Sequence, residues 1–166
     1  MTAFDPIRAL KGLNERGVRF VVIGGVAAAA HGSPSVTRGL DICYERSPEN
    51  LGRLADSLLE LGARLRGVND DVPFLLDAET LAHDDHFTFS TDAGDLDCLG
   101  TPAGTTGYRE LVADATAMDI DGLTMAVASL EDMIRMKRAA GRPKDRVELE
   151  ILGALRDEIS GDPSQE

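Results

Sequence analysis

The 166-residue sequence predicts an α/β (α+β) domain, a mixed β-sheet flanked by helices. Three observations carry the prediction. Apolar stripes at helical spacing alternate with short β-branched runs through the first half. Two turn signals, Asp92-Ala93-Gly94 and Asp121-Gly122, separate paired strand-like runs in the second half. Two capped helical stretches then close the chain. The length fits one domain over residues 1–160, with a frayed tail at 161–166.

Each element has its own signal. Asp5-Pro6 reads as an N-cap with proline at the first helical position, Ile7, Leu10 and Leu13 form the stripe, and Gly17 ends the helix. Val18–Ile23 is a nearly continuous apolar run, as a buried strand requires. Gly24-Gly25 turns the chain into a short alanine-rich helix, Val26–His31, and Gly32–Ser35 is a loop. Thr37–Tyr44 reads as a second strand. Ser47-Pro48-Glu49 opens a helix carrying Leu51, Leu54, Leu58 and Leu61, which Gly62 ends. Residues 63–85 predict only a short strand and a loop. Phe87–Thr91 and Asp95–Leu99 read as a hairpin, Tyr108–Val112 as a helix, and Met118–Val127 as an edge hairpin. Ser129 with Asp132 caps a helix to Ala140, and Gly141 and Pro143 separate it from a last helix over Pro143–Ile159.

Composition narrows the function classes. No apolar run approaches the roughly 20 residues of a bilayer span, and the first residues lack the basic-then-apolar pattern of a signal peptide. A cytoplasmic protein without membrane contact is expected. Cys43 and Cys98 are isolated, which fits buried free thiols. The net charge of −12 opposes broad binding to a phosphate backbone. A local basic patch survives at Lys137-Arg138, Arg142, Lys144 and Arg146.

The chemistry concentrates in Gly24-Gly25, His31-Gly32-Ser33-Pro34 and Thr37-Arg38-Gly39-Leu40-Asp41. A strand that ends in a glycine turn exposes backbone N–H groups to a phosphate. In the next strand, residues 37, 39, 41 and 43 share one face. Carboxylates at 39 and 41 together grip magnesium, which prefers oxygen ligands alongside substrate phosphates. Here position 39 is glycine and only Asp41 is acidic.

The run GGVAAAAHGSPSVTRGLDICY resembles the nucleotide-binding core of the AbiEii/AbiGii-type nucleotidyltransferase toxins, within the DNA polymerase beta-like nucleotidyltransferase superfamily. Those motifs comprise paired glycines, a small-residue helix, and Arg-x-Thr or Thr-Arg before Asp-x-Asp. The stretch SLEDMIRMKRAAGRPKDRVELEIL resembles the family's closing motifs, in which a helical lysine precedes Arg-Pro-Lys-Asp. The likeness runs from about residue 17 to 153.

The resemblance implies a nucleotidyltransferase fold and transfer of a nucleoside monophosphate from an NTP to an acceptor hydroxyl on tRNA or other RNA. It also implies a cognate antitoxin as partner and a two-metal magnesium site. By it, Gly24, Gly25, Ser33 and Arg38 lie near the triphosphate and Asp41 is a metal ligand. Asp97 is the third carboxylate and base, with Asp95 two residues earlier as the alternative. Lys137 and Lys144 contact phosphates, and Asp145 holds a basic group in place. Gly39 departs from the pattern at the first metal-binding aspartate. Losing that ligand is worth roughly a thousandfold in rate, so weak activity is expected, or none. A naturally degenerate relative and a chain altered to silence a toxic activity both fit Gly39.

The alternative is a catalytically inactive member that binds nucleotide or an antitoxin. Other motifs point nowhere stronger. His83 and His86 bracket two aspartates but read as an exposed loop, and His31 fits packing as well as nucleotide contact. No Gly-x-Ser-x-Gly elbow or Walker-type lysine is present.

Overall fold

The computed structural model describes residues 3–69, 71 and 73–160; the tail 161–166, expected to fray, lies outside the described residues. Helix α1 (Pro6–Glu15) starts as its cap dictates, the Asp5 carboxylate accepting the Arg8 N–H at 3.1 Å. It buries Ala9, Leu10 and Leu13 and ends at Gly17, which has φ +71°. Strand β1 (Phe20–Ile23) is buried throughout and runs into α2 (Gly24–Ala30). Strand β2 (Gly39–Tyr44) follows the loop. Its alternation buries Leu40, Ile42 and Tyr44 on one face and places Gly39, Asp41 and Cys43 on the other.

Helix α3 (Pro48–Glu60) is capped by the Ser47 hydroxyl, which accepts the Asn50 N–H at 3.3 Å. Asn50 is itself buried and joins two strands. Its amide donates to the carbonyls of Arg19 (3.0 Å) and Glu45 (2.7 Å), and its Oδ1 accepts the Arg19 N–H at 2.7 Å. The second half supplies β3 (Arg64–Leu65), α4 (Ala78–Ala82), β4 (His86–Thr91), β5 (Gly94–Leu99) and α5 (Tyr108–Asp114). It closes with the hairpin β6 (Thr116–Ile120) and β7 (Leu123–Val127), then α6 (Leu130–Ala140) and α7 (Asp145–Ser160).

The strands form one seven-stranded mixed sheet in the order β3-β4-β5-β2-β1-β7-β6. Strands β2 and β5 are parallel neighbours near its centre, so residues far apart in the chain stand side by side: Gly39 opposite Asp95, and Asp41 opposite Asp97. Their other neighbours, β1 and β4, run antiparallel to them.

Several expectations change: β1 begins at Phe20 rather than Val18, and Gly24 and Gly25 belong to α2, which ends at Ala30, rather than forming a turn before it. Thr37 and Arg38 precede the strand rather than opening it, because Thr37 folds its hydroxyl onto the Gly39 carbonyl at 2.9 Å. Within 63–85, the structure adds α4, capped by Asp77 on the Thr80 N–H at 2.8 Å. Five residues are too short to show a helical period, so the loop reading of that stretch is corrected. Phe74 anchors the preceding chain, with its ring 6.4 Å from Phe87 and 6.3 Å from Phe89.

Candidate active site

Glycine at positions 24 and 25 is a packing requirement. Gly24 has φ +68°, and a Cβ there would lie 2.1 Å from the Asp41 carboxylate Oδ2. A Cβ on Gly25 would lie 2.6 Å from the Thr37 side chain. The β1–α2 turn therefore presses its backbone against Asp41 on one side and Thr37 on the other. No side chain caps the start of α2.

Asp41 and Asp97 stand opposite each other on adjacent parallel strands, and both line a cavity of about 470 Å³ with Gly24, Lys137 and Arg142. That size suits a small-molecule ligand. Burial first, and the nearby Asp97 charge second, push the Asp41 carboxyl up from its ordinary 3.8 to about 6; Lys137, Arg66 and Arg142 offset part of this. No group donates a hydrogen bond or ion pair to Asp41 among the described residues.

The opposite wall is cationic. Asp145, buried at the start of α7, accepts from the Arg142 N–H at 3.1 Å and Nε at 2.9 Å, and pairs with Lys137 Nζ at 3.3 Å. The hydrogen bonds from Arg142, assisted by Lys137, hold its carboxyl down at about 2. One buried carboxylate thus fixes two cations beside the cavity. Gly141, left-handed at φ 62°, makes the corner between α6 and α7 that allows it. Met133, Met136 and Ala140 of α6, with Pro102 and Ala103, form an apolar wall; Asp85 and His86 also line the cavity.

The sequence-selected residues therefore separate into two groups. Gly24, Asp41, Asp97 and Lys137 meet at the cavity, and Asp145 acts on it through Lys137 and Arg142. Asp95 lies opposite Gly39, half exposed and outside the cavity wall. Ser33 is buried, its hydroxyl accepting the Ser35 N–H at 3.2 Å, while Arg38 and Lys144 are exposed; none of the three lines the cavity, nor does Gly25, which packs against Thr37 instead. His31 packs, with Nε2 2.8 Å from the Ala128 carbonyl oxygen.

Two contributors escaped the sequence reading. Arg142 figured there only as part of a basic patch, and its proximity to Asp145 in sequence was the available clue. Arg66 had no local signal at all. It follows β3, and its guanidinium reaches Asp97 Oδ1 at 2.7 Å and Asp95 Oδ2 at 3.4 Å.

The chain matches no protein-family model and no curated protein by sequence. Solved structures do resemble it. LnuA, a lincosamide antibiotic adenylyltransferase in its lincomycin-bound form, has a TM-score of 0.62 at 11% identity, covering 93% of this chain and 99% of that one. A Thermotoga maritima protein described as a nucleotidyltransferase has a TM-score of 0.58 at 17% identity, covering 90% and 94%. The fold is that of a nucleotidyltransferase. ANT(2'')-Ia in complex with adenylyl-2''-tobramycin adds a third likeness, at TM-score 0.57, 19% identity and 93% and 96% coverage.

Within this nucleotidyltransferase fold, magnesium would need oxygen ligands such as carboxylates. Among the described residues no group of three or more His, Cys, Asp or Glu side chains converges on one point, His83 and His86 included. A pair does converge: Asp41 and Asp97, both carboxylates, one carrying a proton affinity raised by burial and by its neighbour. Two carboxylates completed by water and phosphate oxygens suit one magnesium ion. They do not suit two, since Gly39 adds no oxygen and Arg66 already engages Asp97.

Proposed function

We propose that this chain is a nucleotidyltransferase of reduced activity that transfers a nucleoside monophosphate from an NTP to an acceptor hydroxyl. The observation that carries the reading is the facing pair Asp41 and Asp97 beneath the Lys137–Asp145–Arg142 cluster. Lys137 and Arg142 bind the triphosphate, with Asp145 keeping both from collapsing onto Asp41. The start of α2 at Gly24 and Gly25 has no side-chain cap, which leaves its backbone N–H groups to phosphate oxygens. Asp97 takes the proton as the acceptor oxygen bonds to the α-phosphorus, and the bond to pyrophosphate breaks. Asp41 and Asp97 would hold magnesium, which would neutralise charge developing on the phosphates.

In the toxin reading that the motifs suggest, the acceptor is RNA and a cognate antitoxin silences the chain. The net charge of −12 weighs against a broad RNA surface and favours a compact acceptor that enters the cavity. LnuA and ANT(2'')-Ia, whose structures hold lincomycin and adenylyl-2''-tobramycin, share the fold with small-molecule ligands. Gly39 favours a second reading, an inactive member that binds nucleotide or a partner without turnover.

Gly39→Asp separates the two. A Cβ at Gly39 comes no closer than 3.4 Å to Asp95, an ordinary contact, and the backbone there is not left-handed, so a side chain can start from this position. With radiolabelled NTPs and magnesium, the Gly39→Asp variant should raise nucleotide incorporation by roughly a hundred- to a thousandfold. A variant no faster than the parent refutes the active-site reading. Thermal shifts with NTP and magnesium, without turnover in either protein, support the inactive binder.

A further inference from the structure

The sheet register places four side chains in one row across neighbouring strands. Thr88 of β4 stands opposite Asp97 of β5, which stands opposite Asp41 of β2. Arg66 extends the row beyond β4, its backbone N–H donating to the Thr88 carbonyl at 2.9 Å. From there the guanidinium passes over β4. It bonds Asp97 Oδ1 at 2.7 Å, approaches Asp95 Oδ2 at 3.4 Å, and donates to the Phe89 carbonyl at 3.2 Å.

We propose that Arg66 is a positioning residue that acts as a built-in counter-cation, competing with a divalent ion for Asp97. The inference rests on the nucleotidyltransferase reading of the site. It follows from charge and geometry. Asp95, Asp97 and Asp41 bring three carboxylates to neighbouring positions in two strands, and Gly39 interrupts the fourth. Lys137 and Arg142 pair with Asp145 and, among the described residues, bond neither Asp95 nor Asp97, so these two carboxylates need a cation of their own. Arg66 supplies it, anchored at its backbone by Thr88 and at its guanidinium by Phe89. The same bond occupies one oxygen of the carboxylate that a metal ion requires. Metal binding therefore has to displace Arg66 from Asp97, and the ion's affinity is set low until a nucleotide adds phosphate oxygens.

The test is isothermal titration of the metal-free full chain with Mn2+, comparing parent, Arg66→Met, Asp97→Asn and the double variant. Arg66→Met should bind Mn2+ roughly three- to tenfold more tightly, the scale of a partly exposed ion pair. Asp97→Asn should erase that gain in the double variant. Affinity unchanged or weakened in Arg66→Met overturns the assignment, as does a gain that persists in the double variant. A general electrostatic gain from removing a cation would persist in the double variant, whereas relief of the Arg66–Asp97 bond would not. Should Arg66→Met fail to fold, Arg66→Gln, which keeps a donor for the Phe89 carbonyl, makes the same comparison. Equal Mn2+ binding by parent and Arg66 variants overturns the Arg66 role alone. No binding by any of them overturns the metal-dependent reading with it.

Discussion

Asp41→Asn exposes the electrostatic cost built into the site. In the metal-free protein the Asp41 carboxyl is raised from 3.8 to about 6, by burial and by Asp97. About two pKa units correspond to roughly 3 kcal/mol between the protonation states. The sign follows from linkage. The folded state holds this proton more tightly than the unfolded chain, so the stabilisation is complete below about pH 4 and disappears as pH rises through about 6. At pH 7.5 the parent thus carries an ionised, partly buried carboxylate, whereas asparagine is neutral and of the same shape. Urea denaturation in chelator and low salt should show Asp41→Asn more stable than the parent by up to roughly 3 kcal/mol at pH 7.5 and equal to it near pH 4. Adding magnesium should stabilise the parent and leave the variant unchanged. Parallel stability curves for the two proteins across this pH range would refute the argument.

Gly24→Ala forces a Cβ into Asp41 Oδ2 at φ +68°, whereas Gly17→Ala, at φ +71°, meets no atom within 4 Å. Left-handed strain alone costs about 1–2 kcal/mol, a few degrees of Tm, so Gly17→Ala should lose that much and Gly24→Ala clearly more, by differential scanning calorimetry. Asp145→Ala leaves Lys137 and Arg142 without their shared partner, and should cost about 2–4 kcal/mol by urea titration while weakening NTP binding. Asp145, held down at about 2, contributes stability at pH values above about 4 that is lost as pH falls through about 2. Acid titration of Asp145→Ala should therefore lack part of the parent's loss below pH 4. Burial pushes the Cys43 thiol up to about 12 and Cys98 higher still, so a disulfide reagent at pH 8 should label neither within minutes in native protein and both at once in urea. Rapid native labelling would contradict the buried thiol reading.

Much of the fold was legible because its elements carry local signals. Asp5-Pro6, Ser47-Pro48 and Ser129 announce helix starts, and each side chain accepts the backbone N–H three residues on. The glycines at 17, 62 and 141 announce helix ends through positive φ. Helix α4 was not legible, since one short turn has no period. The start of β2 moved because Thr37 turns its hydroxyl onto the Gly39 carbonyl, a local bond that outweighs the strand propensity of threonine.

The site divides along the same line. By itself the sequence determined the paired glycines after β1, the lone Asp41 beside Gly39, and the Lys137-to-Asp145 segment, because each is a short run whose chemistry lies in neighbouring residues. Only the tertiary structure decided which carboxylate faces Asp41. The parallel register of β2 and β5 puts Asp97 opposite Asp41 and sends Asp95 to Gly39. It also decided that Ser33 is turned inward, and that Arg66 crosses a whole strand to reach Asp97. Strand pairing and a long side chain's reach act between residues distant in sequence, and local pattern holds no record of them.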